Sequence, residues 1–79
     1  MKKETVENII RHALKKTPYK VTYFNWHSWM DEVEEGVFED NTEVVAVIDG
    51  TFNWEKLNKV FTRLENKLNR KYGIMLDIV

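Results

Sequence analysis

Residues 44–79 read VVAVIDGTFNWEKLNKVFTRLENKLNRKYGIMLDIV, and the order of periodicities in that stretch decides the fold. Val44-Val-Ala-Val-Ile48 is a near-continuous aliphatic run of strand length, which suits a central strand covered on both faces. Asp49-Gly50 stops it. Leu57, Val60, Phe61, Leu64, Leu68 and Tyr72 then recur at helical spacing, so a helix is expected from about 53 to 72. Asn53 or Thr51 can cap its N-terminus, Gly73 stands just past its end, and Lys67, Arg70 and Lys71 suit the negative end of its dipole. Ile74-Met-Leu-Asp-Ile-Val79 follows as a short strand. Strand, helix and strand in succession read as a βαβ unit, with parallel strands and a right-handed crossover.

Upstream of this unit, Val6, Ile9, Ile10, Ala13 and Leu14 form the buried face of an amphipathic helix that Thr17-Pro18 ends. Residues 19–26 alternate and are rich in β-branched and aromatic side chains, which predicts a strand. In simple alternation Tyr19, Val21 and Tyr23 share one face, and Lys20, Thr22, Phe24 and Trp26 the other. Residues 28–36 resemble a short helix with Ser28 as N-cap, Asp31 reaching back to it and Gly36 past its end; the alternative is a structured loop. Residues 39–42 read as a turn. The expected fold is α+β, a small three-stranded sheet with two helices packed on one face, in the order α-β-(short α or loop)-β-α-β.

A chain of 79 residues makes one domain. It buries only about 60% of its unfolded surface, so its stability is modest, on the order of 5 kcal/mol. With 43% hydrophobic and 32% charged residues it has the composition of a folded protein. No cysteine is present, which removes disulfides, thiolate zinc sites and thiol nucleophiles and fits a reducing, cytoplasmic setting. No apolar signal-peptide core or membrane-length run is expected to target or span a membrane.

Charge is distributed unevenly. Residues 21–55 hold nine acidic side chains and no Lys or Arg, whereas the segments on either side each carry a net +4. The acidic stretch also contains every tryptophan, and tryptophan is over-represented at binding hot spots. This points to a basic protein partner, bound by Trp26, Trp29 and Phe38 as anchors and steered by Glu32, Glu34, Glu35, Glu39 and Asp40. Closely spaced carboxylates of this kind can also resemble a nucleic-acid backbone. The plainer reading is a solvated acidic face with tryptophan serving the core.

A second constellation lies on the long helix, where Lys56, Lys59, Arg63, Lys67, Arg70 and Lys71 fall in a sector roughly 120° wide at 100° per residue. Such a stripe can follow a nucleic-acid backbone, with Lys56, Lys59, Arg63, Lys67 and Arg70 as the contacts. It can equally be an ordinary solubilising face. A third use joins the two features: the basic stripe of one copy meets the acidic segment of another, as in a homodimer, or the two pair within one chain.

Catalysis has little to stand on. There is no nucleophile elbow, phosphate loop or dinucleotide fingerprint, and Ser28 beside His27 reads as a cap rather than a nucleophile. No calcium-loop spacing or zinc-ligand pattern occurs, so neither metal nor cofactor is expected. Asp49 and Asp77 are positioned to converge if their strands are parallel, a pair that distantly resembles the core of small nucleotidyltransferases; that family's Gly-Ser and paired-aspartate signature is missing. A metal-dependent enzyme is the third reading, and the expectation is that the chain is not an enzyme.

Val47-Ile-Asp-Gly50, the Lys- and Asn-rich helix, and Tyr72-Gly-Ile with its closing strand, in a chain without cysteine, resemble the short α+β proteins common in phages and prophages of low-GC Gram-positive bacteria. The resemblance covers about half the chain. It implies a binding role, often as a dimer or an inhibitor of host machinery, and transfers no functional residue.

Overall fold

The computed structural model describes residues 2–49 and 53–79. Helix α1 (Lys3–Leu14) leads into strand β1 (Lys20–Glu34), which turns directly into β2 (Val37–Asp49); helix α2 (Trp54–Tyr72) and strand β3 (Ile74–Ile78) follow. The three strands form one mixed sheet in the order β1-β2-β3, antiparallel between β1 and β2 and parallel between β2 and β3. This is an α+β fold.

Local chemistry sets the helix boundaries. After Leu14 the Thr17 hydroxyl donates to the Leu14 carbonyl at 2.6 Å and accepts from the Tyr19 N–H at 3.2 Å, which diverts the chain from helix to strand. Asn53 caps α2, its side chain accepting from the Lys56 N–H at 3.3 Å. Gly50 and Thr51, the expected strand stop and alternative cap, lie outside the described residues. At the other end Gly73 takes φ 65°, a left-handed value that favours glycine, and its N–H returns to the Asn69 carbonyl at 2.9 Å.

One apolar cluster holds the fold together. Val6, Ile10 and Leu14 of α1 join Leu57, Leu64 and Leu68 of α2, Val44 and Ala46 of β2, and Ile74, Leu76 and Ile78 of β3. Tyr19 is buried with them. Its hydroxyl accepts from the Asn53 N–H at 2.6 Å and donates to the Asn53 carbonyl at 3.3 Å, so the entrance of β1 is tied to the cap of α2.

The strand β1 departs from simple alternation. Val21 pairs with Ile48 and Tyr23 with Val47, leaving Thr22 as an extra residue, a β-bulge whose hydroxyl donates to the Val47 carbonyl at 3.0 Å. The bulge reverses the side-chain phase. Tyr19 and Val21 before it, and Phe24 and Trp26 after it, therefore meet the cluster, while Tyr23 is exposed.

Two expectations for the middle of the chain are corrected. Residues 28–34 are strand, not helix or loop, and residues 39–42 are strand, not turn. The reversal falls instead at Glu35-Gly36, where Gly36 adopts φ 78°. A left-handed glycine serves a helix stop and a hairpin turn equally well, so Gly36 marked a real break of the wrong kind. A two-turn helix makes few hydrogen bonds, whereas pairing with 37–42 supplies a full ladder.

The outcome is an elongated molecule. Its principal extents are 46 × 25 × 19 Å and its radius of gyration is 13.8 Å, against about 11.6 Å for a compact chain of this length. Pairing with β3 reaches only as far as Thr42, so residues 29–41 form a two-stranded arm beyond the rest of the sheet. No helix is long and apolar enough to cross a membrane among the described residues.

Candidate functional site: an acidic hairpin arm

The arm carries six carboxylates, Asp31, Glu32, Glu34, Glu35, Glu39 and Asp40, and no Lys, Arg or His. Every residue from 29 to 40 is exposed. Its large apolar side chains are therefore in water: Trp29, Met30, Val33, Val37 and Phe38, with Met30 the most open at 62%. A two-stranded hairpin in water is marginal on its own.

Strand register sorts these side chains onto two faces. Met30 lies opposite Asp40, and Glu32 opposite Phe38, giving a checkerboard of two apolar and two acidic groups on the face continuous with Trp26 and Val44. The other face has Trp29 opposite Asn41 and Asp31 opposite Glu39. A second bulge at Val33 shifts the phase again, so Glu34 pairs with Val37 near the tip.

The pairing of Asp31 with Glu39 sets two carboxylates directly across a ladder, which destabilises a sheet. Part of this is offset by neighbours. Asp31 Oδ2 accepts from the Asn41 side-chain amide at 2.8 Å and from the Trp29 indole N–H at 3.2 Å. Trp29 is thereby held in place while remaining 38% exposed.

Trp26 has a different setting from the other two expected anchors. It packs against the core, and the Lys3 ammonium lies 5.6 Å from its ring centroid. Its indole N–H is buried without an acceptor among the described residues. Trp26, Trp29 and Phe38 thus do not share one surface: the first belongs to the body, and the other two occupy opposite faces of the arm. Glu34 and Glu39 accompany Trp29, Glu32 and Asp40 accompany Phe38, and Glu35 sits in the turn.

Sequence reasoning did not single out Val33, Val37 and Asn41. Their signal was available in the Glu35-Gly36 turn, since accepting a hairpin there puts 29–34 and 37–41 in register at once.

The basic constellation is also exposed: Lys56, Lys59, Arg63, Lys67, Arg70 and Lys71 all lie on the solvent side of α2. Arg63, Asn66, Lys67, Arg70 and Lys71 line a shallow depression of about 540 Å³. Beside it a groove of about 560 Å³ runs between α1 and α2, floored by Ile9, Ala13, Val60 and Leu64 and flanked by Arg63 and Lys67.

Asp49 and Asp77 do not converge. Asp77 is level with Val45 on the neighbouring strand and Asp49 lies four residues further along β2, a separation of about 13 Å at strand rise. No three His, Asp or Glu side chains are grouped as a metal site among the described residues.

Comparison of the chain with known protein families, with curated proteins and with solved structures finds no match.

Proposed function

We propose that this chain is a small interaction protein that binds a basic surface of a protein partner through the hairpin arm at 29–41, and that it works by binding rather than catalysis. The observation that carries this reading is the arm itself, a ladder with both faces in water, five large apolar side chains exposed and Asp31 set against Glu39. Both costs are relieved when a partner covers the apolar groups and supplies cations to the carboxylates. The resemblance to short phage-type proteins points towards binding as well. The reading takes both helices to lie on one side of the sheet, supported by the single cluster that their buried residues form with alternate strand residues.

The test compares three tagged proteins in nuclease-treated lysate: wild type, Trp29→Ala, and a variant in which Asn-Gly replaces residues 30–40. A protein retained by wild type, released by salt and lost with both variants supports the reading. Equal retention by the arm-less variant refutes it.

The second reading, nucleic-acid binding through α2, is favoured by the basic depression lined by Arg63, Lys67 and Arg70. It predicts an affinity for DNA or RNA oligonucleotides that falls steeply with salt. Neutralising Lys59, Arg63 and Lys67 then weakens binding while the arm-less variant binds normally; unchanged affinity in the neutralised protein rules it out.

A further inference from the structure

We infer that the partner of the arm is a second copy of this chain, with Met30 and Phe38 of one copy seated in the α1/α2 groove of the other. Glu32 and Asp40 then meet Arg63 and Lys67. The inference rests on the arm being the binding surface and names what it binds.

Three observations carry it. First, the two surfaces are complementary in pattern: the arm offers two apolar and two acidic groups in a checkerboard, and the groove offers an apolar floor between Ile9 and Leu64 with Arg63 and Lys67 beside it. Second, they are compatible in length. The groove is lined from Thr5 to Ala13 on α1, about 12 Å along the helix, and the checkerboard from Met30 to Glu32 takes about 7 Å of strand, so the one fits within the other. Third, their charges balance within one chain of net charge -1, yet the fold keeps them apart. The arm has six carboxylates and no cation, and α2 carries six Lys and Arg between 56 and 71 against Glu65 alone.

The arm cannot fill its own groove, because it extends away from its own helices with residues 29–40 exposed. A neighbouring copy is not so constrained. Arm-in-groove contact joins two different surfaces, and a reciprocal exchange about a twofold axis closes it at two copies. Each dimer then contains two identical contacts, and no arm is left uncovered.

The experiment is sedimentation velocity across a concentration series at low and high salt, on folded proteins verified by circular dichroism. Wild type is expected to sediment as a dimer that dissociates as salt rises. Reversing the groove charges (Arg63→Glu with Lys67→Glu) or the arm charges (Glu32→Lys with Asp40→Lys) weakens association more than about tenfold, because like charges then meet. Mixing the two reversed proteins restores the dimer, since each arm again faces a groove of opposite sign. All four substituted residues are exposed, so the mixture also shows that both variants remain competent.

Three results overturn the inference: a wild type monomeric at every concentration, a dimer indifferent to both reversals, or arm-dependent association that the mixture fails to restore. Assemblies that grow without limit overturn the closed exchange. A monomeric wild type whose arm still captures a basic protein removes the second copy as partner and leaves the arm's binding role intact. Loss of arm-dependent capture as well removes both.

Discussion

The β1–β2 hairpin has two halves that share one backbone ladder and differ in everything else. In the proximal half Trp26 pairs with Val44 and Phe24 with Ala46, and these side chains meet a cluster supplied by both helices. In the distal half Met30 pairs with Asp40 and Glu32 with Phe38, and none of them is covered. The proximal half earns its order from burial, at roughly 25 cal/mol for each Å² of apolar surface removed from water. The distal half has only cross-strand hydrogen bonds and a few side-chain contacts, and it sets Asp31 against Glu39. On the proposed reading, a segment kept in strand form under those terms is shaped for a partner, while the body is shaped for its own core.

The sharpest way to break this contrast is to damage each half and compare. Leu68→Ala removes a fully buried side chain from the cluster and is expected to cost about 2–5 kcal/mol, a large part of a small domain's stability. Urea denaturation measures it. Replacing residues 30–40 with Asn-Gly should leave the unfolding midpoint nearly where it was, because no buried residue is lost. If the arm-less protein unfolds with the Leu68 variant, the arm is structural and the division between the halves fails.

The two left-handed glycines sharpen the same division. A Cβ at Gly73 or Gly36 would meet nothing within 4 Å, so alanine at either site carries only the backbone strain of positive φ, about 1–2 kcal/mol. At Gly73 that strain falls on the stop between α2 and β3 and should lower global stability by its full amount. At Gly36 it falls on the arm's turn. Amide exchange is expected to quicken at 31–40 while the amides of 44–48 keep their protection; equal loss in both regions would show that the hairpin melts as one unit.

What could be read from the sequence follows the same line. The α2 helix, its Asn53 cap and its Gly73 stop were legible because each rests on local chemistry: a 3.6-residue period, a capping side chain and a left-handed glycine. The arm is harder to read because a left-handed glycine serves a helix stop and a hairpin turn alike; 28–34 looks like a capped two-turn helix until 37–42, just across the Glu35-Gly36 turn, is laid beside it. The bulge at Thr22 was hidden for a related reason, since an extra residue is defined only by what lies opposite. Acidic residues and tryptophans were found as a cluster in sequence, but their division between Trp26 in the body and two faces of the arm depends on register, which no single strand specifies. The α1/α2 groove needs two helices brought together and left no trace in either one.

Tyr19→Phe probes the link between the halves' common root and α2. The hydroxyl joins both backbone groups of Asn53, and its removal should cost about 1 kcal/mol, since water can reach the exposed Asn53 once the bond is gone. Thermal unfolding followed by circular dichroism reads this directly. A loss as large as that of Leu68→Ala would mean that this hydrogen bond, rather than apolar burial, organises the body.

The smallest expected change in stability belongs to Trp29→Ala. Trp29 is exposed and makes one indole hydrogen bond to Asp31, so its removal should alter the free energy of unfolding by less than about 0.5 kcal/mol. That near-silence is what makes the variant useful. A tryptophan that contributes little to its own fold, yet is oriented by Asp31 with Asn41 on the same carboxylate, suits the anchor role proposed for it. If unfolding by urea shows a loss of several kcal/mol, Trp29 is a packing residue and the distal half is an extension of the core. If stability holds and arm-dependent binding disappears, the two halves of one hairpin have been assigned separate tasks, folding in one and recognition in the other.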